Sequence, residues 1–329
     1  MKTSAAMIGG GLIGRAWAMV FARAGWQVRL FDSVPAQGVA AHDYMAASLA
    51  EQQAYGLVDD AARALARIAI VDRLEDAVTD ATWIQENLPE VLVVKREVFV
   101  ALDRLALPSA IIASSTSALP ATRFTEALPG RARCLVAHPV NPPHLVPVVE
   151  LCGAPWTAPE IIARARDVMT AVGQTPVTIH DERDGFVLNR LQGALLSEAM
   201  RLVGEGVISP EDLDRTVRDG LGLRWSFMGP FATIALNAPG GVDDYCARYG
   251  EFFRGLAADP ARPSVWERAN AARVAAALGD PPDATERDAR MRWRDRRLLA
   301  LRRHKASEAD WASEPDWASE PDSMKEKPE

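Results

Sequence analysis

The sequence predicts an α/β fold, a doubly wound sheet of mainly parallel strands followed by an all-helical domain, on three observations. Short apolar runs alternate with helical patterns from the N-terminus to about residue 183, the pattern of strand–helix–strand units covering both faces of a sheet. The first of these units carries a glycine-rich turn, Gly9-Gly10-Gly11-Leu12-Ile13-Gly14, between strand and helix. After residue 184 apolar residues recur only with helical spacing. At 329 residues the chain also exceeds the ~250–300 residues at which a single core usually stops growing, so more than one domain is expected. We expect a sheet domain over 1–183, a helical domain over 184–303 and a tail over 304–329.

The elements follow in order. Ala5–Ile8 is an apolar strand, and Arg15–Ala24 has helical spacing with Trp17, Val20, Phe21 and Ala24 on one face. Gly25 ends that helix, and Val28–Phe31 is the next strand. The connection between the two strands should be right-handed and parallel. Helical patterns occupy 36–68 with a break near Gly56, and 94–106. "WIQENL" (83–88), "AIIASSTS" (110–117), "RCLVAHP" and "PVVEL" read as strands, Ile161–Val172 as a helix, and 176–185 as the last strand with its turn. Beyond it, 185–206 is one long amphipathic helix. Ser209 as N-cap and Pro210 at the first helical position start another over 209–222. Helical segments follow near 230–238, 241–256, 264–278 and 283–302.

Composition excludes several classes. No stretch approaches the ~18 apolar residues of a membrane span, and the opening "MKTSAAMIGGGLIG" reads as the start of a domain and not as a signal peptide. The three cysteines, Cys134, Cys152 and Cys246, have no metal-ligand spacing; they read as reduced, buried, small residues of a cytoplasmic protein. The net charge of −7 is concentrated in 307–329, where eight acids face two lysines. No basic stripe for nucleic acid is present. That tail repeats "DWASEP" in tandem at 310–315 and 316–321, a composition that favours disorder.

Gly9, Gly11 and Gly14 match G-x-G-x-x-G. The motif follows a strand, opens a helix and is succeeded by an acid, Asp32, at the end of the next strand. That context is the dinucleotide fingerprint of a Rossmann-like domain. The first glycine makes the turn, the second lets a pyrophosphate approach the backbone, and the third lets helix pack on strand. The free N–H groups of the helix start, at Leu12 and Ile13, would hold the phosphate charge. Asp32 would accept hydrogen bonds from ribose hydroxyls and repel a 2′-phosphate. Ser33, Val34 and Pro35 offer no arginine to neutralise one, so NAD is expected over NADP.

An enzyme that oxidises an alcohol with NAD needs a base titrating near neutral pH, commonly histidine. In "AHPVNPPHLVPVVEL" (137–151), His138 and Glu150 sit on consecutive strand ends joined by a proline-stiffened loop. A carboxylate bonded to the second ring nitrogen would fix the tautomer and stabilise the imidazolium. A lone histidine beside an apolar run is more often structural, and spacing alone leaves both readings open.

The passages "SSTSALP", "AHPVNPPHLVPVVEL", "GFVLNRLQ" and "GLGLRWSFMGP" stand in an order and spacing that resemble the 3-hydroxyacyl-CoA dehydrogenase family, over about residues 4–255. Within it, the lambda-crystallin branch, similar to L-gulonate 3-dehydrogenase, matches most closely. The resemblance implies His138 as catalytic base and Glu150 as its partner, with Ser117 and Asn189 holding the reacting oxygen. It places Glu90 and Lys95 at NAD, and it implies a Rossmann-like domain joined to a helical domain that builds a homodimer.

The substrate divides the family between CoA thioesters and free hydroxy acids. CoA carries several phosphate charges and calls for Lys or Arg. From Leu30 to Ala62 there is neither, only Asp32, Asp43, Glu51, Asp59 and Asp60. A free acid needs one cation, and Arg224, opening a loop between two helices, resembles an arginine of the gulonate-type branch. The expectation is therefore NAD-dependent oxidation of the 3-hydroxyl of a small, L-gulonate-like acid. A short-chain 3-hydroxyacyl-CoA, L-carnitine, bound through Trp225 and Phe227, and a non-catalytic crystallin-like role are the alternatives.

Overall fold

The computed structural model describes residues 3–307; Met1, Lys2 and 308–329, which include the DWASEP repeats, lie outside the described residues. The chain divides into two compact units, one formed by residues up to Val187 together with those from Asp288 on, the other by Leu188–Arg287.

The first unit is built on eight strands: β1 (Ser4–Ile8), β2 (Gln27–Phe31), β3 (Ile68–Val71), β4 (Trp83–Glu86), β5 (Ile111–Ser114), β6 (Cys134–Pro139), β7 (Val148–Gly153) and β8 (Thr175–Ile179). They lie in the order β3-β2-β1-β4-β5-β6-β7-β8. Every neighbouring pair is parallel except β6 with β7. The order reverses at β1, which lies between β2 and β4. In such sheets ligands bind outside the carboxyl ends of the strands at that switch point.

Helices α1 (Leu12–Arg23), α2 (Pro35–Ala54), α3 (Ala61–Leu65), α4 (Leu74–Val78), α5 (Leu92–Leu105), α6 (Thr122–Thr125) and α7 (Pro159–Ala171) connect the strands. Because strand side chains alternate between faces, Ala5, Met7, Trp83, Ile111 and Ala113 join the core on one side of the sheet with Trp17, Phe21, Met45 and Leu49. Ala6, Ile8, Ile84 and Ile112 join the other, with Phe99, Leu102, Phe124 and Phe186. Edge-on aromatic pairs lock both layers, Phe21 against Trp26 at 5.1 Å and Phe99 against Phe124 at 4.7 Å between centroids. Gly25 ends α1 as expected, in the left-handed region at φ +91°.

The second unit holds α8 (Leu188–Gly204), α9 (Pro210–Arg215), α10 (Gly222–Trp225), α11 (Pro230–Leu236), α12 (Gly241–Ala257) and α13 (Arg268–Leu278). Ser209 caps α9, its hydroxyl accepting from the Asp212 N–H at 3.1 Å. The helix expected over 209–222 does not run on unchanged: Thr216–Leu221 widens into a π-helical turn before α10. Arg224 accordingly stands in a short helix and not at the start of a loop. Neither α8 nor α12 buries any residue, and large apolar side chains such as Phe231 (74% exposed), Phe252 and Leu256 are open.

Three expectations are corrected. Ile68–Val71 forms an edge strand where the sequence read as helix ending at 68; two of its four residues are exposed, so its pattern carries little core signal. Cys246 is exposed, whereas Cys134 and Cys152 are buried. The boundary near 303 also moves. The last helix, α14 (Ala284–Ser307), belongs from Asp288 onward to the sheet unit. Its Leu299 is buried, Arg302 donates to the His144 carbonyl at 3.3 Å, and Arg296 lies 4.0 Å from Glu51 of α2. Eight arginines between 287 and 303 mask the single apolar contact in the sequence pattern.

Leu299→Ala should therefore destabilise the sheet unit by about 2–5 kcal/mol, the usual cost of emptying a buried leucine site. Urea unfolding followed by the fluorescence of the buried Trp17 and Trp83 reads it; an unchanged midpoint would place α14 outside the folded unit.

Candidate active site

The glycine turn leaves β1 and enters α1. Gly9 sits at φ +97°, and its N–H donates to the Phe31 carbonyl at 2.8 Å. A Cβ on Gly14 would fall 1.8 Å from the Gly9 carbonyl oxygen, so only glycine lets the helix close on the turn. A Cβ on Gly11 would meet no atom within 4 Å. That open face, next to the unpaired N–H groups of Leu12 and Ile13, is where a pyrophosphate would lie. Asp32 ends β2. Its Oδ2 accepts from the Gly10 N–H at 2.7 Å and its Oδ1 from the Val34 N–H at 2.8 Å. The carboxylate thus ties the turn to the next strand and keeps lone pairs for a ribose. The residues present fit an NAD adenosine and pyrophosphate.

Below the turn lies a polar layer that sequence reading missed. The Ser115 hydroxyl accepts from Trp17 Nε1 at 3.1 Å and from Gln85 Nε2 at 2.8 Å, and donates to Asn87 Oδ1 at 2.7 Å. Glu86, at the end of β4, is fully buried. Lys95 of α5 is 1% exposed, with Nζ 3.1 and 3.0 Å from the two Glu86 oxygens, and Ser114 also donates to that carboxylate. The sequence placed Lys95 and Glu90 at the cofactor. The contacts the structure gives them are with protein. Lys95 neutralises Glu86. Glu90 accepts from the Thr116 hydroxyl and from the N–H groups of Ser117, Ala118 and Leu119, at 3.4, 3.3 and 3.2 Å. Glu90 therefore clamps the turn after β5 that carries Ser117. An acid closing the strand "WIQE", nine residues before a lysine, was the available signal.

His138 and Glu150 are brought together. They are direct partners in the antiparallel β6–β7 register, and Nδ1 lies 2.7 Å from Oε2 with both side chains buried. A carboxylate can only accept, so with Glu150 ionised Nδ1 carries the proton and Nε2 is the ring's acceptor. The other oxygen, Oε1, accepts from the Val187 N–H at 3.0 Å. The chain reaches that point through two left-handed residues, Gly185 (φ +75°) and Phe186 (φ +51°), and the Phe186 ring lies 5.6 Å from the imidazole. A non-glycine residue held there marks a position fixed by its surroundings. The buried Cys134 and Cys152 thiols of the same two strands are pushed up to about 12, first of all by burial, and stay protonated. Ser117 belongs to the same unit. Asn189, second residue of α8, and the exposed Arg224 of α10 belong to the helical unit.

The model of the 3-hydroxyacyl-CoA dehydrogenase NAD-binding domain matches residues 4–182, and that of the 3-hydroxyacyl-CoA dehydrogenase C-terminal domain matches 185–276. The chain belongs to the 3-hydroxyacyl-CoA dehydrogenase family. It is an NAD-dependent oxidoreductase acting on a CH–OH group. It is 42% identical to the lambda-crystallin homolog of Bos taurus over 301 residues, covering 90% of this chain and 94% of that one. It is 35% identical to the L-carnitine dehydrogenase of Streptomyces griseus, covering 84% and 79%. A solved 5-formyl-3-hydroxy-2-methylpyridine 4-carboxylic acid 5-dehydrogenase, an NAD+-dependent dismutase, superimposes with a TM-score of 0.82 at 31% identity, covering 94% of this chain and 100% of that one.

Two outcomes follow from the geometry. NAD should be preferred over NADP by at least about tenfold in kcat/KM, about 1.4 kcal/mol, because the Asp32 carboxylate would repel a 2′-phosphate. Equal rates with both cofactors would contradict that placement. Lys95→Met should destabilise the fold by about 3–5 kcal/mol by stranding Glu86. The double variant Glu86→Gln/Lys95→Met should recover much of the loss in a denaturant titration, which loss of a cofactor contact alone would not do.

Proposed function

We propose that this protein oxidises the 3-hydroxyl of a small free hydroxy acid, L-gulonate or a short relative, to the 3-oxo acid. The observation that carries the chemistry is the buried 2.7 Å pair of His138 Nδ1 with Glu150. Bound NAD+ supplies the hydride acceptor. His138 Nε2 takes the hydroxyl proton as the C–H bond breaks, and Glu150 holds the ring in the tautomer that can accept it and stabilises the charge that results. Ser117 and Asn189 hold the reacting oxygen, and Glu90 sets the turn from which Ser117 reaches it. Arg224 grips the carboxylate through its planar fork.

The free-acid reading is supported by relatives whose names specify a free acid or carnitine rather than a CoA ester, the pyridine 4-carboxylic acid dehydrogenase and L-carnitine dehydrogenase. One observation favours a 3-hydroxyacyl-CoA as second reading. Arg296 lies 4.0 Å from Glu51 of α2, so the acidic 30–62 segment does acquire basic neighbours, from α14. In the same reading the protein is a cytoplasmic homodimer; Leu191, Phe231, Leu236 and Phe252 of the helical unit are exposed and would be covered by a second copy.

His138→Gln should lower kcat by about 10²–10⁴-fold, the usual worth of a general base, with NAD affinity little changed. Glu150→Gln should also lower kcat; full activity there would remove the pair from the mechanism. Arg224→Met should lower kcat/KM for L-gulonate by about ten- to two-hundredfold, the loss of one charge-assisted bond, and Arg224→Lys should recover only part. The deciding assay compares L-gulonate, 3-hydroxybutyrate, L-carnitine and 3-hydroxybutyryl-CoA at saturating NAD. A CoA ester used a hundredfold better than every free acid, with Arg224→Met without effect, would overturn the free-acid reading.

A further inference from the structure

Gln85 of β4 is fully buried, on the face of the sheet that also carries Trp83 and, on the neighbouring strand, Ala113. Burying an amide is unfavourable unless hydrogen bonds compensate it. Here both ends of the amide are used. Trp83 Nε1 donates to Gln85 Oε1 at 2.9 Å, and Gln85 Nε2 donates to the Ser115 hydroxyl at 2.8 Å and to the Ala137 carbonyl at 3.2 Å. An indole N–H can only donate, so Trp83 fixes which end of the amide faces it and leaves the NH₂ group for the other two partners. The Ser115 hydroxyl accepts from Trp17 as well, and its own proton goes to Asn87. No member of this set can be turned round without setting one buried donor against another, which makes it a rigid, uniquely oriented network.

The Ala137 carbonyl lies where the sheet runs out on one side. β5 and β6 pair only as far as Ser114 with Val136, but β6 continues to Pro139. Beyond Ser114 the β5 chain turns back on itself, with the Thr116 N–H donating to the Ser114 hydroxyl at 3.1 Å. His138 therefore stands on a stretch of β6 that has a strand partner on the β7 side alone. Gln85 reaches across from β4 and bonds that stretch on its open side. A peptide group is planar, so the Ala137 oxygen and the His138 Cα belong to one rigid unit. Holding the oxygen fixes where the His138 side chain leaves the backbone, and Glu150 holds the ring at Nδ1, 2.7 Å away. With the residue pinned at both points, the position of Nε2 is set.

We infer that Gln85 is a positioning residue for the base. Being fully buried, it touches neither substrate nor cofactor. It acts through the Ala137 carbonyl to hold His138 Nε2 where the hydroxyl proton is delivered, and this rests on the reading of His138 as the proton acceptor. A displacement of ~1 Å at a reacting group costs about 10²-fold in rate, so the loss should appear in kcat and not in the binding of substrate or NAD.

The test uses the full chain and whichever of L-gulonate, 3-hydroxybutyrate, L-carnitine and 3-hydroxybutyryl-CoA is oxidised fastest, so it does not depend on the substrate reading. Gln85→Met keeps the length of the side chain and removes both donors. Gln52→Met removes an equally buried amide from α2, where it bonds Ser48 and Met19, and serves as the structural control. Gln85→Met should lower kcat about ten- to hundredfold, with KM and the affinity for NADH, titrated by its fluorescence without substrate, little changed. Gln52→Met should leave kcat unchanged, whatever it does to Tm. In a His138→Ala background the Gln85 substitution should have no further effect on kcat, because the group it positions is gone. If Gln85→Met does not fold, Gln85→Glu decides: it keeps the shape and the bond from Trp83, but has at most one hydrogen for two acceptors, so kcat should fall there too. Full kcat in a folded Gln85 variant overturns the inference. So does an equal loss of kcat with and without His138, or a loss of NADH affinity in step with kcat, since either marks a merely structural role. Wild-type kcat in His138→Ala alone is a different failure: it removes the base reading itself, and this inference with it.

Discussion

His138 and Glu150 face each other because β7 runs against β6, and this pairing constrains much of the rest. Side chains on a strand alternate between faces, so a slip of one residue would turn one partner to the opposite side of the sheet. The register is held from several directions. The proline-rich turn between 139 and 147 limits how the chain can reverse. β8 pairs with β7 on its far side and leaves it no free edge. The Val187 N–H takes the second Glu150 oxygen, and it can do so only because Gly185 and Phe186 accept left-handed conformations. The reversal of one strand in an otherwise parallel arrangement is thus what converts two residues twelve apart in sequence into a hydrogen-bonded pair.

The parts of this arrangement visible in the sequence are those whose chemistry is local. The glycine turn announces itself because the turn, the pyrophosphate space and the helix–strand contact all fall within six residues, and Asp32 follows on the next strand. Ser209 and Pro210 are equally local signals for a helix start. His138 and Glu150 were visible as residue types at strand ends, but not their register, which depends on strand direction. Nothing in the sequence around Lys95 marks it as buried. What makes it buried is Glu86 on a neighbouring strand, and only the packing of α5 on the sheet brings the two together. β3 was missed because an edge strand of four residues, half of it exposed, lacks the apolar run that identifies interior strands. The widening of the chain at 216–221, which moves Arg224 into a helix, has no compositional mark.

Charge shows the same limit in a sharper form. Between 30 and 62 the sequence is acidic and contains no lysine or arginine, which argues against a polyphosphate ligand there. In the fold that segment meets α14, more than two hundred residues later, and Arg296 comes to Glu51 while Arg302 reaches the loop beside it. The electrostatic surroundings of α2 are therefore a property of the tertiary structure. A window of sequence can establish what a segment contributes, and not what it is surrounded by.

The return of α14 also bears on how the protein is made. The sheet unit is discontinuous: its last helix is separated from the remainder by the hundred residues of Leu188–Arg287. At ribosomal rates of ~5–20 residues per second, the nascent sheet must wait roughly 5–20 s before that helix exists to cover it. During this interval Tyr44, Ala47 and the buried His144 face solvent or a chaperone instead of Leu299. Closure of the nucleotide-binding unit is thereby coupled to completion of the helical one, so a chain broken off inside the second unit leaves the first unfinished and open to proteolytic removal.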